Sequence, residues 1–109
     1  MCSYQTLYHN DRSGYIIRCE DCSKIQVAYN NLAITFERDD FDRFHSWVKK
    51  IKEDQQIPLS PVVRSILLPS PCQGIQLLVS YNELIEFSAM MEEADSELQS
   101  LELMKLFEH

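Results

Sequence analysis

Apolar and polar residues alternate along the first third of the chain, and the period then changes. Alternation is weak over residues 4–9 and ends in Asn10-Asp11-Arg12-Ser13-Gly14, a run of turn formers. Residues 15–19 (YIIRC) are strongly β-prone, while Ile25–Tyr29 and Leu32–Phe36 set Ile25, Val27, Tyr29 and Leu32, Ile34, Phe36 at every second position. Spacing of this kind predicts half-buried strands. A reversal centred near Arg12 pairs residues whose numbers sum to about 24, which would place Cys2 opposite Cys22. Asn30-Asn31 predicts a tight turn, because asparagine tolerates positive φ.

From Asp39 the period is helical. Phe41, Phe44, Val48 and Ile51 step by three, four and three, with Trp47 beside them. Asp39 or Asp40 can cap that helix, and lysines cluster near its end, which suits the helix dipole. It should fade by Glu53-Asp54, ahead of Pro58 and Pro61. Residues 62–68 and 75–79 then predict two more strands across a Pro- and Gly-containing turn. Ser80 with Glu83 forms a capping box, and Leu84, Phe87, Met91, Ala94, Leu98 and Leu101 resume the helical stepping. That stripe predicts either one helix to about Leu106 or a break at Asp95-Ser96.

These elements predict one α+β domain over residues 1–109, with antiparallel hairpins forming one sheet and two helices on one of its faces. Shifting the sequence by 43 positions lays Leu32, Ile34, Phe36 on Ile75, Leu77, Val79, and the first helical stripe on the second. A duplicated ββα unit accounts for this, and so do two unrelated ones.

Charge changes the picture at the C-terminal end. The formal charge is −7, yet residues 1–64 carry nine bases and nine acids, whereas residues 65–109 carry eight acids and one base, Lys105. A solvated acidic helix face is the plain reading; docking to a basic partner is the alternative. Nucleic acid and anionic membrane are disfavoured as partners. No apolar run approaches the ~20 residues of a membrane helix, and the N-terminus lacks the basic and apolar regions of a secretory signal. A cytoplasmic setting is expected, where cysteines stay thiols or bind metal.

The candidate chemistry is in the cysteines. Cys19 and Cys22, in CEDC, have the spacing with which two thiolates grip one zinc. A second CxxC is lacking, so a metal site needs Cys2 through the hairpin and Cys72 from the later turn, or else His9 or His45. Ser23 stands where such knuckles usually carry glycine. The other readings are inert thiols, or a redox or nucleophilic enzyme using Cys19, Cys22 or Cys2. A thioredoxin-type role needs the first cysteine at a helix N-terminus, whereas the CEDC flanks read as strands. Loss of Met1 would leave Cys2 as an N-terminal nucleophile, but no oxyanion loop follows. His45, between Phe41 and Val48, reads as a boundary histidine, His9 as a strand end nearer the thiols. The five tyrosines make an aromatic sheet without the basic residues that single-strand binders pair with them. Glycine-rich phosphate loops and paired catalytic carboxylates are missing from the sequence.

The opening MCSYQTLYHNDRSGYIIRCEDCSKIQVAYNNLAITF, followed by DDFDRFHSWV, resembles a family of small bacterial proteins of unknown function. Those proteins share an N-terminal MC, a GY(I/V) strand, a CxxC and a glutamine-bearing strand before a phenylalanine-rich helix. The likeness covers the first half and, more loosely, LLPSPCQGIQLLVSYNEL. It implies that Cys2, Cys19 and Cys22 belong together, and it implies no reaction. The expected role is a non-catalytic binding or assembly module with a structural zinc at its N-terminal hairpin. Self-association through the C-terminal helix is a further expectation, since the stripe 84–101 follows heptad spacing and Leu103, Leu106 and Phe107 add apolar surface.

Overall fold

The computed structural model describes residues 3–107. Six strands and two helices follow in order: β1 Tyr4–Asn10, β2 Gly14–Cys19, β3 Ile25–Tyr29, β4 Leu32–Phe36, α1 Arg38–Asp54, β5 Arg64–Pro69, β6 Gln76–Ser80 and α2 Tyr81–Leu106. The α+β class follows, and hairpin-then-helix occurs twice. The strands form two sheets, however, where one was expected: β1-β2-β3-β4 and β5-β6, both antiparallel. Alternation reports that a segment is a strand and which face it buries, but nothing about which edge it joins.

The chain divides into two compact units, residues 1–38 with 90–109 and residues 39–89. In the first, the meander is built from local turns. Asn10 Oδ1 accepts the amides of Arg12 and Ser13 at 2.8 and 3.2 Å, an Asx-type closure that reverses the chain where expected. Near the turn the β1–β2 register pairs His9 with Tyr15 and Tyr8 with Ile16; beyond a bulge between Thr6 and Tyr8 it slips by one, pairing Thr6 with Ile17 and Tyr4 with Cys19. Gly14 begins β2 at φ 149°. A Cβ there would lie 2.0 Å from the Ala28 carbonyl oxygen, so only glycine lets β3 approach. Asn30 has φ 54° in the β3–β4 turn.

One face of this sheet is core: Leu7, Ile16, Ile25, Val27, Tyr29, Ile34 and Phe36 are buried. Met90, Met91, Ala94 and Leu98 of α2 are buried in the same unit. Arg18 donates to Gln5 Oε1, and both line a cleft with Leu101, Met104 and Lys105 of α2. Arg38 holds Glu102 at 3.2 Å. The expected break at Asp95-Ser96 does not occur; α2 is continuous, with Gln99 donating to Asp95 at 2.7 Å within it.

The second unit packs Phe41, Phe44 and Val48 of α1, Ile66 and Leu68 of β5, Leu77 and Val79 of β6, and Leu84 and Phe87 of α2. The Phe44 and Phe87 rings meet edge-on, 5.8 Å apart. The capping box forms as the sequence predicts: the Glu83 amide donates to Ser80 Oγ at 3.1 Å, and the Ser80 amide to Glu83 Oε1 at 2.9 Å. Arg64 adds a bidentate grip on the same carboxylate, at 3.0 and 2.8 Å.

Candidate functional site

The CEDC turn is a short loop closed on itself. The Cys19 amide donates to the Lys24 carbonyl at 2.9 Å, and the Ser23 amide to the Cys19 carbonyl at 2.9 Å. The Cys22 amide points at Cys19 Sγ, 3.4 Å away. Ser23 takes φ 61°, the left-handed conformation that glycine adopts without steric cost. This explains the turn: residue 23 must curl back to reach Cys19, and the loop then aims an N–H at sulfur. An N–H so placed spreads negative charge from a thiolate and favours the ligating form.

Cys19, at the end of β2, is buried, and Cys22 is exposed; both are thiols. They open into a cleft of about 180 Å³ that Tyr4, Ile17, Lys24, Gln26 and Thr35 also line. The cross-strand register explains that set. Tyr4 pairs with Cys19, and Gln26 pairs with both Ile17 and Thr35, so these side chains share the sheet face opposite the core. Lys24 Nζ sits 3.8 Å from Glu37. Tyr4, Lys24, Gln26 and Thr35 are not marked as site residues by the sequence: Gln26 and Thr35 follow from the parity of β3 and β4, whereas the bulge that brings Tyr4 opposite Cys19 leaves no local trace.

The other expected ligands fare differently. Cys2 lies outside the described residues, as does its expected pairing with Cys22. Cys72 is an exposed thiol between β5 and β6, its amide 3.1 Å from Ser70 Oγ. His9, an alternative ligand by sequence, lies along the strand from Cys19. It pairs with Tyr15, four positions along β2 from Cys19, or roughly 13 Å at strand rise, and its Nε2 faces Asp11 at 3.4 Å. His45 is half-buried with its ring 6.4 Å from that of Phe41, as a boundary histidine should be. Among the described residues no group of three or more His, Cys, Asp or Glu side chains is placed to hold one metal ion. Among the described residues the turn therefore brings two thiols, Cys19 and Cys22, to one cleft. Residues 20–23 lie between strands rather than at a helix start, which removes the dipole a thioredoxin-type thiol requires.

A family model matches residues 1–108 of the chain. The chain belongs to DUF6686, a family of unknown function. No curated protein and no solved structure matches this DUF6686 chain. No helix among its described residues is long and apolar enough to cross a membrane.

Proposed function

We propose that this protein is a non-catalytic binding module whose Cys19–Cys22 knuckle holds a structural zinc ion, with Cys2 as a third thiolate. The observation that carries this reading is the Cys22 amide directed at Cys19 Sγ in a loop whose residue 23 is left-handed. An amide aimed at sulfur lowers the cost of the negative charge that a metal-bound Cys19 would carry. The zinc would tie the end of β2 to the chain's start and stiffen the rim of the cleft beside it, consistent with a cytoplasmic protein whose thiols stay reduced.

A binding role is supported by the outer sheet face. Thr6, Tyr15, Ile17, Gln26, Ala28, Ala33 and Thr35 lie there by register, with Lys24 at the rim beside Glu37, so the face has little net charge, which suits a protein surface better than nucleic acid. The C-terminal helix offers less than its heptad spacing promised. Leu84, Phe87, Met91, Ala94 and Leu98 are core, and its exposed large apolar side chains, Leu103, Met104, Leu106 and Phe107, gather at its end; these remain a smaller patch for a partner. The repeated hairpin–helix order suits a duplicated ββα unit, on which the binding reading does not depend.

Cobalt titration under reducing conditions tests the site. The expected result is saturable binding with thiolate-to-metal charge-transfer absorption and a tetrahedral visible band. Both should be displaced by zinc and lost in Cys19→Ser, Cys22→Ser and Cys2→Ser. Cys72→Ser settles whether the fourth ligand foreseen in the sequence belongs to the set. No charge-transfer band, with Cys22 rapidly alkylated, would contradict the proposal and favour thiol chemistry.

A further inference from the structure

The β5–β6 hairpin departs from the alternation of β3 and β4. Its inner face is core, with Ile66 paired to Val79 and Leu68 to Leu77. The outer face should then carry small or polar residues, as in β3 and β4, where Gln26, Ala28, Ala33 and Thr35 point outward. Instead Leu67 sits directly opposite Leu78, and they are 55% and 52% exposed. Ser65 and Gln76 share that face, so its apolar centre is the Leu67–Leu78 pair, and an exposed leucine pair at the middle of a sheet face is stabilised by being covered. Among the described residues, neither outer edge of this two-stranded sheet pairs with another strand.

The surroundings point the same way. Residues 55–82 contain one formal charge, Arg64, and Glu83 binds it at 2.8 Å. Seven large apolar side chains in that span, Ile57, Leu59, Val62, Val63, Leu67, Ile75 and Leu78, are each at least half exposed. Leu67 and Leu78 lie on the outer face and the other five in the segments that flank β5 and β6; summed over all seven, their exposure is on the order of the ~800 Å² that each partner contributes to a standard interface.

We infer that the outer face of the β5–β6 hairpin pairs with the same face of a second copy of this chain. Charge decides for self-association. A chain of net charge −7 repels its own copies, and the approach costs least where neither copy carries uncompensated charge. A basic partner would find its attraction on α2 instead, whose acids outnumber its one lysine. Geometry agrees: two such faces related by a two-fold axis are self-complementary, with Leu67 and Leu78 of each copy offered to those of the other. This does not rest on the zinc reading, because the hairpin lies in residues 39–89 and the knuckle in the other unit.

Light scattering of the full-length chain over a wide concentration range tests the inference. The expected result is a dimer whose dissociation constant rises at least about tenfold in Leu67→Glu/Leu78→Glu, with circular dichroism unchanged. Leu103→Glu/Leu106→Glu, at the end of α2, should leave the dimer intact. In the unmodified chain, amides of residues 64–79 should exchange more slowly as concentration rises. A monomer throughout, including one that binds only an unrelated protein, overturns the inference. So does a dimer that survives the hairpin substitutions or is lost on the helix-end ones.

Discussion

Single residues set the geometry of the sheet that carries the knuckle. Gly14 is the sharpest case, since any β-carbon there meets the Ala28 carbonyl at 2.0 Å. Gly14→Ala should therefore separate β2 from β3 and lower stability by about 2–4 kcal/mol, measured by urea denaturation; an effect below half a kilocalorie would refute the close approach. Ser23 is the opposite case. Its φ of 61° stores strain that a glycine would relieve, so Ser23→Gly should raise stability by about 0.5–1 kcal/mol. A loss of stability would mean that the serine hydroxyl holds the loop. Neither effect is visible in composition, although the sequence does mark both positions. Gly14 closes a run of turn formers, and Ser23 follows the second cysteine of a CxxC.

At the scale of elements, the start of α2 is the best-determined junction. Arg64 beside Glu83, together with the Ser80 amide and hydroxyl, lowers the Glu83 carboxyl from 4.5 to about 2, against a smaller opposing effect of burial. The sign follows from linkage. A carboxyl depressed in the folded state contributes stability that is complete above its unfolded value near 4.5 and is lost as pH falls toward 2. Glu83→Gln should cost about 1–2 kcal/mol at neutral pH, and the gap to the unmodified protein should close between pH 4.5 and 2 in thermal melts. A gap constant with pH would show that the glutamine merely packs badly. The capping box was legible because Ser and Glu three apart before an apolar stripe leave a local trace. Arg64 was not, since its approach depends on β5 pairing with β6. The same distinction explains the β1 bulge. A turn fixes register near itself, and an extra residue inserted at Leu7 shifts everything beyond it without marking the sequence.

The whole molecule shows what periodicity cannot supply. Each strand and both helical stripes were legible from spacing, and the buried residues of β3, β4 and α1 fell where the alternation put them. The partition into two sheets was not legible, because hairpins signal their own closure and not the company they keep. Nor was the displacement of His9 from the thiols, which required knowing how far along β2 each cross-strand pair falls. The heptad-like stripe of α2 shows the ambiguity most clearly: identical spacing serves a dimer seam or a monomer core, and burial from Leu84 to Leu98 assigns it to the core. What stays exposed, the Leu67–Leu78 pair, lay in segments read only as further strands.

Whether the loop at residues 19–23 holds a metal decides what the N-terminal sheet is built for. Native mass spectrometry of the full-length chain, purified with reductant and without chelator, asks this directly. The expected spectrum shows about one zinc per chain, absent from Cys19→Ser and Cys22→Ser protein of unchanged helical content. A metal-free chain that stays so after incubation with zinc would contradict the account.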